Sequence, residues 1–456
     1  MPGDGSLAGR PAPGAGAALT AAVLGFFIIT IDALGLNVAL PAIRDDLGGG
    51  ITGLQWVVDG YTLMFAALLL SAGALSDRIG ARQALGAGLI VFVATSAACG
   101  LAPNLGVLVA ARLLQGAGAA VMLPATLALI RQAYPDPVRR ARAISVWAMG
   151  GAVALAAGPV AGGLLTLLSW RTFFFVNLPV GLAALLLLTR IARSERRPAP
   201  FDGLGQLAAI VAMGALTYAA IEAGAAGPTV PRVLAALALA VVALAVFLTS
   251  QARGKNPMVP LDLLRSRTMA VAVTVGFALN VGFYGVVFVV SLYLQQVRGL
   301  TALETGMAFV PMAVLVAGVN AAAARVAERF GPRVTITGGQ LLLAASLLIF
   351  SAAPADAPNW LLIVLLVPLG LGGAMAVPSL TAVLLDSVPA ERAGTASGIL
   401  NTCRQLGGAL AVAVFGALVA NRATFLHGLR VSLLSAAALL IVTTMAGLLL
   451  RPSTPR

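Results

Sequence analysis

The sequence predicts an all-α integral membrane protein of fourteen transmembrane helices: two parallel six-helix bundles with two helices inserted between them. Three observations carry this. Of the 456 residues, 60% are hydrophobic and only 10% are charged, against roughly 25% charged in soluble domains. With a mean hydropathy of +0.99, no water-soluble core hides that much apolar surface, so the solvent is lipid. The arginines punctuate long apolar runs rather than gathering on one face or tail. Finally, the loop Asp77-Arg78-Ile79-Gly80-Ala81-Arg82 recurs 251 residues later as Glu328-Arg329-Phe330-Gly331-Pro332-Arg333. Both copies are [DE]-R-x-G-x-R between apolar runs, the mark of a tandem duplication.

Taken in order, a Gly/Pro/Ala-rich tail at 1–16 reads as disordered and cytoplasmic. The first apolar run is too long for a signal-peptide core and is read as an uncleaved span. A span needs roughly 20 apolar residues. Six fit in the first bundle, 17–192: near 17–40, 54–75, 83–102, 106–130, 143–166 and 171–189. Two more, near 204–223 and 231–250, fall in a linker region at 193–268. The second bundle, 269–450, holds 269–296, 304–324, 334–353, 359–385, 394–420 and 430–450. A short tail at 451–456 follows. Fourteen spans put both chain ends on one side. If that side is the cytoplasm, 21 of the 29 Lys and Arg residues lie inside, six lie outside, and Arg112 and Arg404 fall within spans. This is the positive-inside bias. It also disposes of nucleic-acid binding as an account of the +13 charge.

The duplication extends beyond the loops. Gly116, Gly118, Ala120, Pro124, Ala128 and Pro135 recur as Gly370, Gly372, Ala374, Pro378, Ala382 and Pro389, each 254 residues on. Both halves start on the same side, so the repeats are parallel. Parallel repeats suit a substrate site between the halves near mid-membrane, opened to each side in turn.

A charge inside a span is costly and is a functional candidate by default. Asp32 in the first span and Arg112 in the fourth lie at similar depth in the outer half. An acid facing an arginine can exchange a proton under the arginine's control, so these two are assigned to proton coupling. Asp59 in the second span either attracts cations or protons from an outer vestibule, or sits with Trp56 and Tyr61 in an interfacial aromatic belt. Glu222, at the outer end of an inserted helix, reads as interfacial and solvated, with a vestibule role as the alternative. Arg404, beside Asn401, either lines the pocket from the second half or snorkels. Asn37, Tyr61 and Gln115 complete the candidate substrate or vestibule set. In the loops, Gly73, Asp77, Arg78, Gly80 and Arg82, with Glu328, Arg329, Gly331 and Arg333, form a candidate cytoplasmic gate. There Asp77 accepts hydrogen bonds from helix N-terminal amides, and the arginines pair with acids on neighbouring helix ends. Gly158, Pro159, Gly162 and Gly163 mark a kinked, closely packed fifth span. Trp170-Arg171 anchors the sixth at the outer interface, followed by a bend.

Four of these stretches together resemble the major facilitator superfamily, and within it the fourteen-helix drug:proton antiporters, over essentially the whole chain. They are I-D-x-x-x-x-N-V-A-L-P at 31–41, G-x-L-x-D-R-x-G-x-R at 73–82, R-x-x-Q-G-x-G-x-A at 112–120 and G-P-x-x-G-G at 158–163. The resemblance implies that Asp32 is the coupling acid, Asn37 the motif's amide and Arg112 a residue linked to proton coupling. The second half has Leu366 where Arg112 stands in the first, so the arginine is not a relic of duplication. The G-P motif belongs to exporters of the superfamily and argues for efflux.

The function expected is therefore proton-driven export of amphipathic drugs or antibiotics across a bacterial cytoplasmic membrane by a monomer. Asp32 and Asp59 point to cationic compounds. A dedicated exporter of one metabolite is the alternative, with an uptake symporter behind it. No cofactor is expected: the chain has no G-x-x-x-x-G-K-[ST] phosphate loop, and with His427 the only histidine no metal site is foreseen. Cys99 and Cys403 fall in apolar runs and read as packing residues. No loop is long enough for a catalytic domain, so the chain does not read as an enzyme.

Overall fold

The computed structural model describes residues 14–196, 202–254, 257–354, 357–389 and 392–448. The 1–16 tail lies outside these except for its last three residues, and the 451–456 tail lies wholly outside. The first bundle comprises α1 (Ala15–Leu47), α2 (Gly50–Ile79), α3 (Ala81–Gly100), α4 (Leu105–Ala133), α5 (Pro137–Thr166) and α6 (Trp170–Thr189). The inserted pair is α7 (Gly203–Ala226) and α8 (Pro231–Arg253). A short helix, Leu261–Arg265, leads into the second bundle. That bundle is α9 (Arg267–Gln296), α10 (302–330), α11 (Pro332–Ala352), α12 (Asn359–Asp386), α13 (Ala393–Leu418) and α14 (Arg422–Gly447). Thirteen of these are long and apolar enough to cross a membrane. The fourteenth, α10, is built from Ala302–Ala308 and Val310–Phe330, the first piece opened by a capping box between Thr301 and Glu304.

The turns follow from glycine. Gly48, Gly49 and Gly50 all have positive φ, which lets the chain reverse between α1 and α2 in the fewest residues. Gly80 (φ 94°, ψ 138°) and Gly331 (φ 86°, ψ 154°) occupy a region open essentially to glycine alone. That explains the glycine shared by the two repeated loops.

Small residues set the packing. A Cβ on Gly118 would lie 3.0 Å from the Gly88 carbonyl oxygen, and one on Gly372 would lie 2.4 Å from that of Gly339. The α3–α4 contact of the first half is thus repeated as α11–α12 in the second. Lipid gives apolar side chains no reason to leave it, so such backbone approach and its dispersion energy hold the bundles together.

The halves meet at the face away from the chain ends. The Gln55 amide on α2 donates to the carbonyls of Val412 (3.2 Å) and Ala413 (2.5 Å) on α13. Gln295 on α9 donates to the Val38 carbonyl on α1 at 3.1 Å. Helix α5 meets α10 backbone to backbone, with Gly163 against Ala302 and Leu303, and Gly306 against Pro159. The inserted helix α7 covers the α2–α13 seam. Near the termini face, Gln206 donates to the Ala67 carbonyl at 2.9 Å and accepts from Ser71. Near the far face, Gly224 presses on Ala417.

Candidate functional site

Asp32 lies seventeen residues along α1, about 26 Å from its start at 1.5 Å per residue, with 0% of its side chain exposed. Arg112, 1% exposed, reaches it from α4: Nη1 stands 2.5 Å from Oδ2. The same nitrogen donates to Gln115 Oε1 at 2.8 Å, and Nε donates to the Val57 carbonyl of α2 at 3.0 Å. Gln115 Nε2 donates back to Asp32 Oδ1 at 3.2 Å. Gln115 is one helical turn after Arg112, so the R-x-x-Q spacing puts both side chains on one face of α4. The guanidinium stacks over the Tyr61 ring, 4.4 Å from its centroid, in a cation–π contact.

A third donor to the acid comes from a residue that sequence reasoning passed over. Helix α6 breaks at Val176, and the next residue, Asn177, donates from Nδ2 to Asp32 Oδ1 at 3.2 Å and to Ser96 Oγ at 3.0 Å. Ser96 in turn donates to the Phe174 carbonyl at 2.9 Å. The signal available was an amide in an apolar span two residues before Pro179. The bend expected after Trp170-Arg171 is therefore what aims Asn177. The anchor before it holds Asp46: Trp170 Nε1 and Arg171 Nη1 donate to its Oδ2 at 2.9 and 2.5 Å.

The result is an ion pair saturated with donors and closed to solvent. Breaking it from one side leaves a bare buried charge, at a cost of about 3–5 kcal/mol.

Several expected roles do not fit the geometry. Asp59 is not interfacial or in a vestibule. It is fully buried with both carboxylate oxygens unpartnered, one turn along α2 from Gln55 on the stripe facing α13. Tyr61 is buried under Arg112, stacked on Phe65. Gln115 is wholly enclosed in the Asp32 network. The Asn37 amide turns back onto its own helix, donating to the Ala33 and Leu34 carbonyls at 3.3 Å each. None of these three is open to a ligand here. Glu222 pairs with Arg232 at 2.7 Å across the α7–α8 turn, the solvated arrangement rather than a vestibule. Arg404 does not snorkel. It turns into α9, Nε donating to Asn280 Oδ1 at 3.3 Å and Nη1 to Asn401 Oδ1 at 3.2 Å.

The gate loops form no ion-pair latch among the described residues. Asp77 and Arg78 are exposed, and no side chain caps α3: with Gly80 in its extended turn, Asp77 stays on the last turn of α2. Arg82 instead donates to the Leu188 carbonyl at 2.8 Å. Glu328 is exposed, Arg329 stacks on Phe330, and Arg333 donates to the Leu448 carbonyl. Gly73 faces open space. The halves are thus sealed at the far face while the termini-face loops stand apart.

The α5 motif sits where three helices converge. Gly158 and Gly162 take the backbone of α1 at Gly35, and Gly163 takes α10 of the other half. Helix α5 runs unbroken through Pro159.

Two duplicated bundles, a sealed far face and a buried acid–arginine pair define a multi-pass secondary transporter. The chain belongs to the Major Facilitator Superfamily, whose model matches residues 22–412; it is a transporter and not an enzyme. It is 35% identical over 429 residues to the methylenomycin A resistance protein of Streptomyces coelicolor, covering 94% of this chain and 90% of that one. It is 37% identical over 420 residues to the tetracenomycin C resistance and export protein of Streptomyces glaucescens, covering 91% and 77%. Among solved structures, a bacterial homologue of the human lysosomal transporter Spinster, inward-facing and unoccupied, superposes with a TM-score of 0.70 at 17% identity, covering 98% of this chain and all of that one.

Proposed function

We propose that the protein is a proton-driven antiporter that exports amphipathic drugs or antibiotics from a bacterial cytoplasm. Its chain ends are cytoplasmic, it acts as a monomer, and the proton gradient replaces any cofactor. The observation that carries this reading is the sealed Asp32–Arg112 pair. A proton arriving at Asp32 cancels the charge that Arg112 needs, so protonation forces the donor network to rearrange and binds proton movement to a conformational change. Each proton crossing supplies roughly 2.3 kcal/mol per 100 mV. The relatives named for antibiotic resistance and export support the direction, as does the α5 motif.

The test is drug-dependent proton release from inside-out vesicles. Asp32→Asn should insert normally, keep a folded melting profile and lose coupling by at least about 100-fold, as loss of about 3 kcal/mol implies. Intact coupling in that variant refutes the assignment. A dedicated exporter of one antibiotic is the second reading, favoured because both relatives are named for a single compound. Resistance profiling of a drug-sensitive strain against many compounds separates the two.

A further inference from the structure

Arg404 is the one charge in mid-span that the proton reading leaves unused. It lies eleven residues along α13, about 17 Å from the helix start, and is half-buried. It forms no ion pair among the described residues. Its stem packs against Gly276 of α9. Two neutral carbonyl oxygens, of Asn280 and Asn401, hold its head. Asn280 stands just before a π-helical turn, Val281–Gly285, an irregularity that recurs at functional sites.

The decisive feature is what Asn280 leaves over. Its Oδ1 is taken by Arg404, while its Nδ2, in a residue 3% exposed, has no acceptor. The Asn401 amide nitrogen is spent on the Ser397 carbonyl at 3.0 Å. The spare hydrogen-bonding capacity is therefore all donor: the remaining guanidinium N–H groups and one orphaned amide. Arg112 in the first half has its carboxylate, but Arg404 has none. An uncompensated cation beside an orphan donor calls for an acceptor-only, negatively charged partner.

We propose that Arg404 and Asn280 form a subsite for an acidic oxygen of the transported compound, a carboxylate or an ionised phenol or enol. The substrate class is then amphipathic anions, not the cations that Asp32 and Asp59 suggested from the sequence alone. Asp32 is taken up by Arg112, and Asp59 faces the α13 seam. This inference rests on the export reading only for the direction of movement.

Binding tests it without any gradient. The full chain is placed in nanodiscs, and energy transfer from its tryptophans to pyrene-butyrate or to the methyl ester of that acid is titrated. Wild type should bind the acid at least about tenfold tighter than the ester, the worth of one charge-assisted hydrogen bond. Arg404→Gln should erase that preference and leave ester affinity unchanged. Asn280→Ala should weaken the acid about tenfold, and Arg404→Lys should retain part of the preference, which separates charge from folding. Wild type that binds both probes alike, or neither, overturns the proposal. So does Arg404→Gln that weakens acid and ester equally, or coupling between Arg404→Gln and Asp59→Asn that marks the arginine as that acid's partner. An acid preference without uncoupler-sensitive transport in vesicles leaves the anion site standing and removes the export reading.

Discussion

A single methyl group should tilt the balance between the two faces of this protein. A Cβ on Gly306 would lie 2.2 Å from the Pro159 carbonyl oxygen across the α5–α10 seam, while one on Gly162 would lie 2.2 Å from the Gly35 carbonyl oxygen within the first bundle. The two clashes are matched in depth, each about 1.2 Å short of ordinary contact, and differ only in where they fall. Overpacking of this kind costs about 1–3 kcal/mol. In Gly162→Ala both conformations carry the cost, because α1 and α5 travel together. In Gly306→Ala only the state closed at the far face carries it, so the equilibrium should move about 5- to 150-fold toward opening there. Spin labels on Leu168→Cys and Val297→Cys, with Cys99 and Cys403 replaced by alanine, would report the far-face distance by double electron–electron resonance. Gly306→Ala should populate a longer distance, and Gly162→Ala should lower the melting temperature without one. Matching distance distributions in the two variants would refute the idea that this seam opens during transport.

Three further outcomes follow from the same geometry. We predict that Asn177→Ala, which removes one of three side chains donating to Asp32, slows drug-dependent proton release at least about tenfold, since a hydrogen bond to a charged group is worth about 1.5–3 kcal/mol; a rate within twofold of wild type would reduce the α6 bend to packing. Asp77→Asn should leave the melting temperature unchanged, because Asp77 is exposed here, yet should lower the population closed at the termini face in the same resonance experiment. Reversal of the Glu222–Arg232 pair by exchanging the two residues should alter stability by less than about 1 kcal/mol, as expected of an exposed ion pair; a larger change in thermal melting would place that turn within the working parts of the molecule.

Asp32 and Arg112 were legible in the sequence because a charge in an apolar span has few innocent explanations, and the R-x-x-Q spacing put Gln115 beside them. Asn177 was not, because a neutral amide hardly disturbs a hydropathy profile and its partner lies 145 residues away. The fate of Asp59 depended on which stripe of α2 meets α13, and hydropathy along one helix is silent about contacts between halves. The latch expected at Asp77 and Glu328 depends on conformation: a sequence encodes both states at once, and this structure shows the one in which those loops stand apart. The glycines of the α5 motif were read correctly as close-packing positions, but their neighbours, one helix in each half, emerged only when both bundles were in place.

The inserted pair α7–α8 has a consequence for descent. A single additional helix between the bundles would turn the whole second half upside down and carry its arginine-bearing loops to the wrong side of the bilayer. A hairpin leaves the heading of every later helix as it was, so a twelve-helix ancestor could acquire one by a single insertion with no compensating change of charge downstream. Parity, more than any property of α7 and α8 themselves, made the middle of this chain a place where new sequence could be accepted first and put to use afterwards.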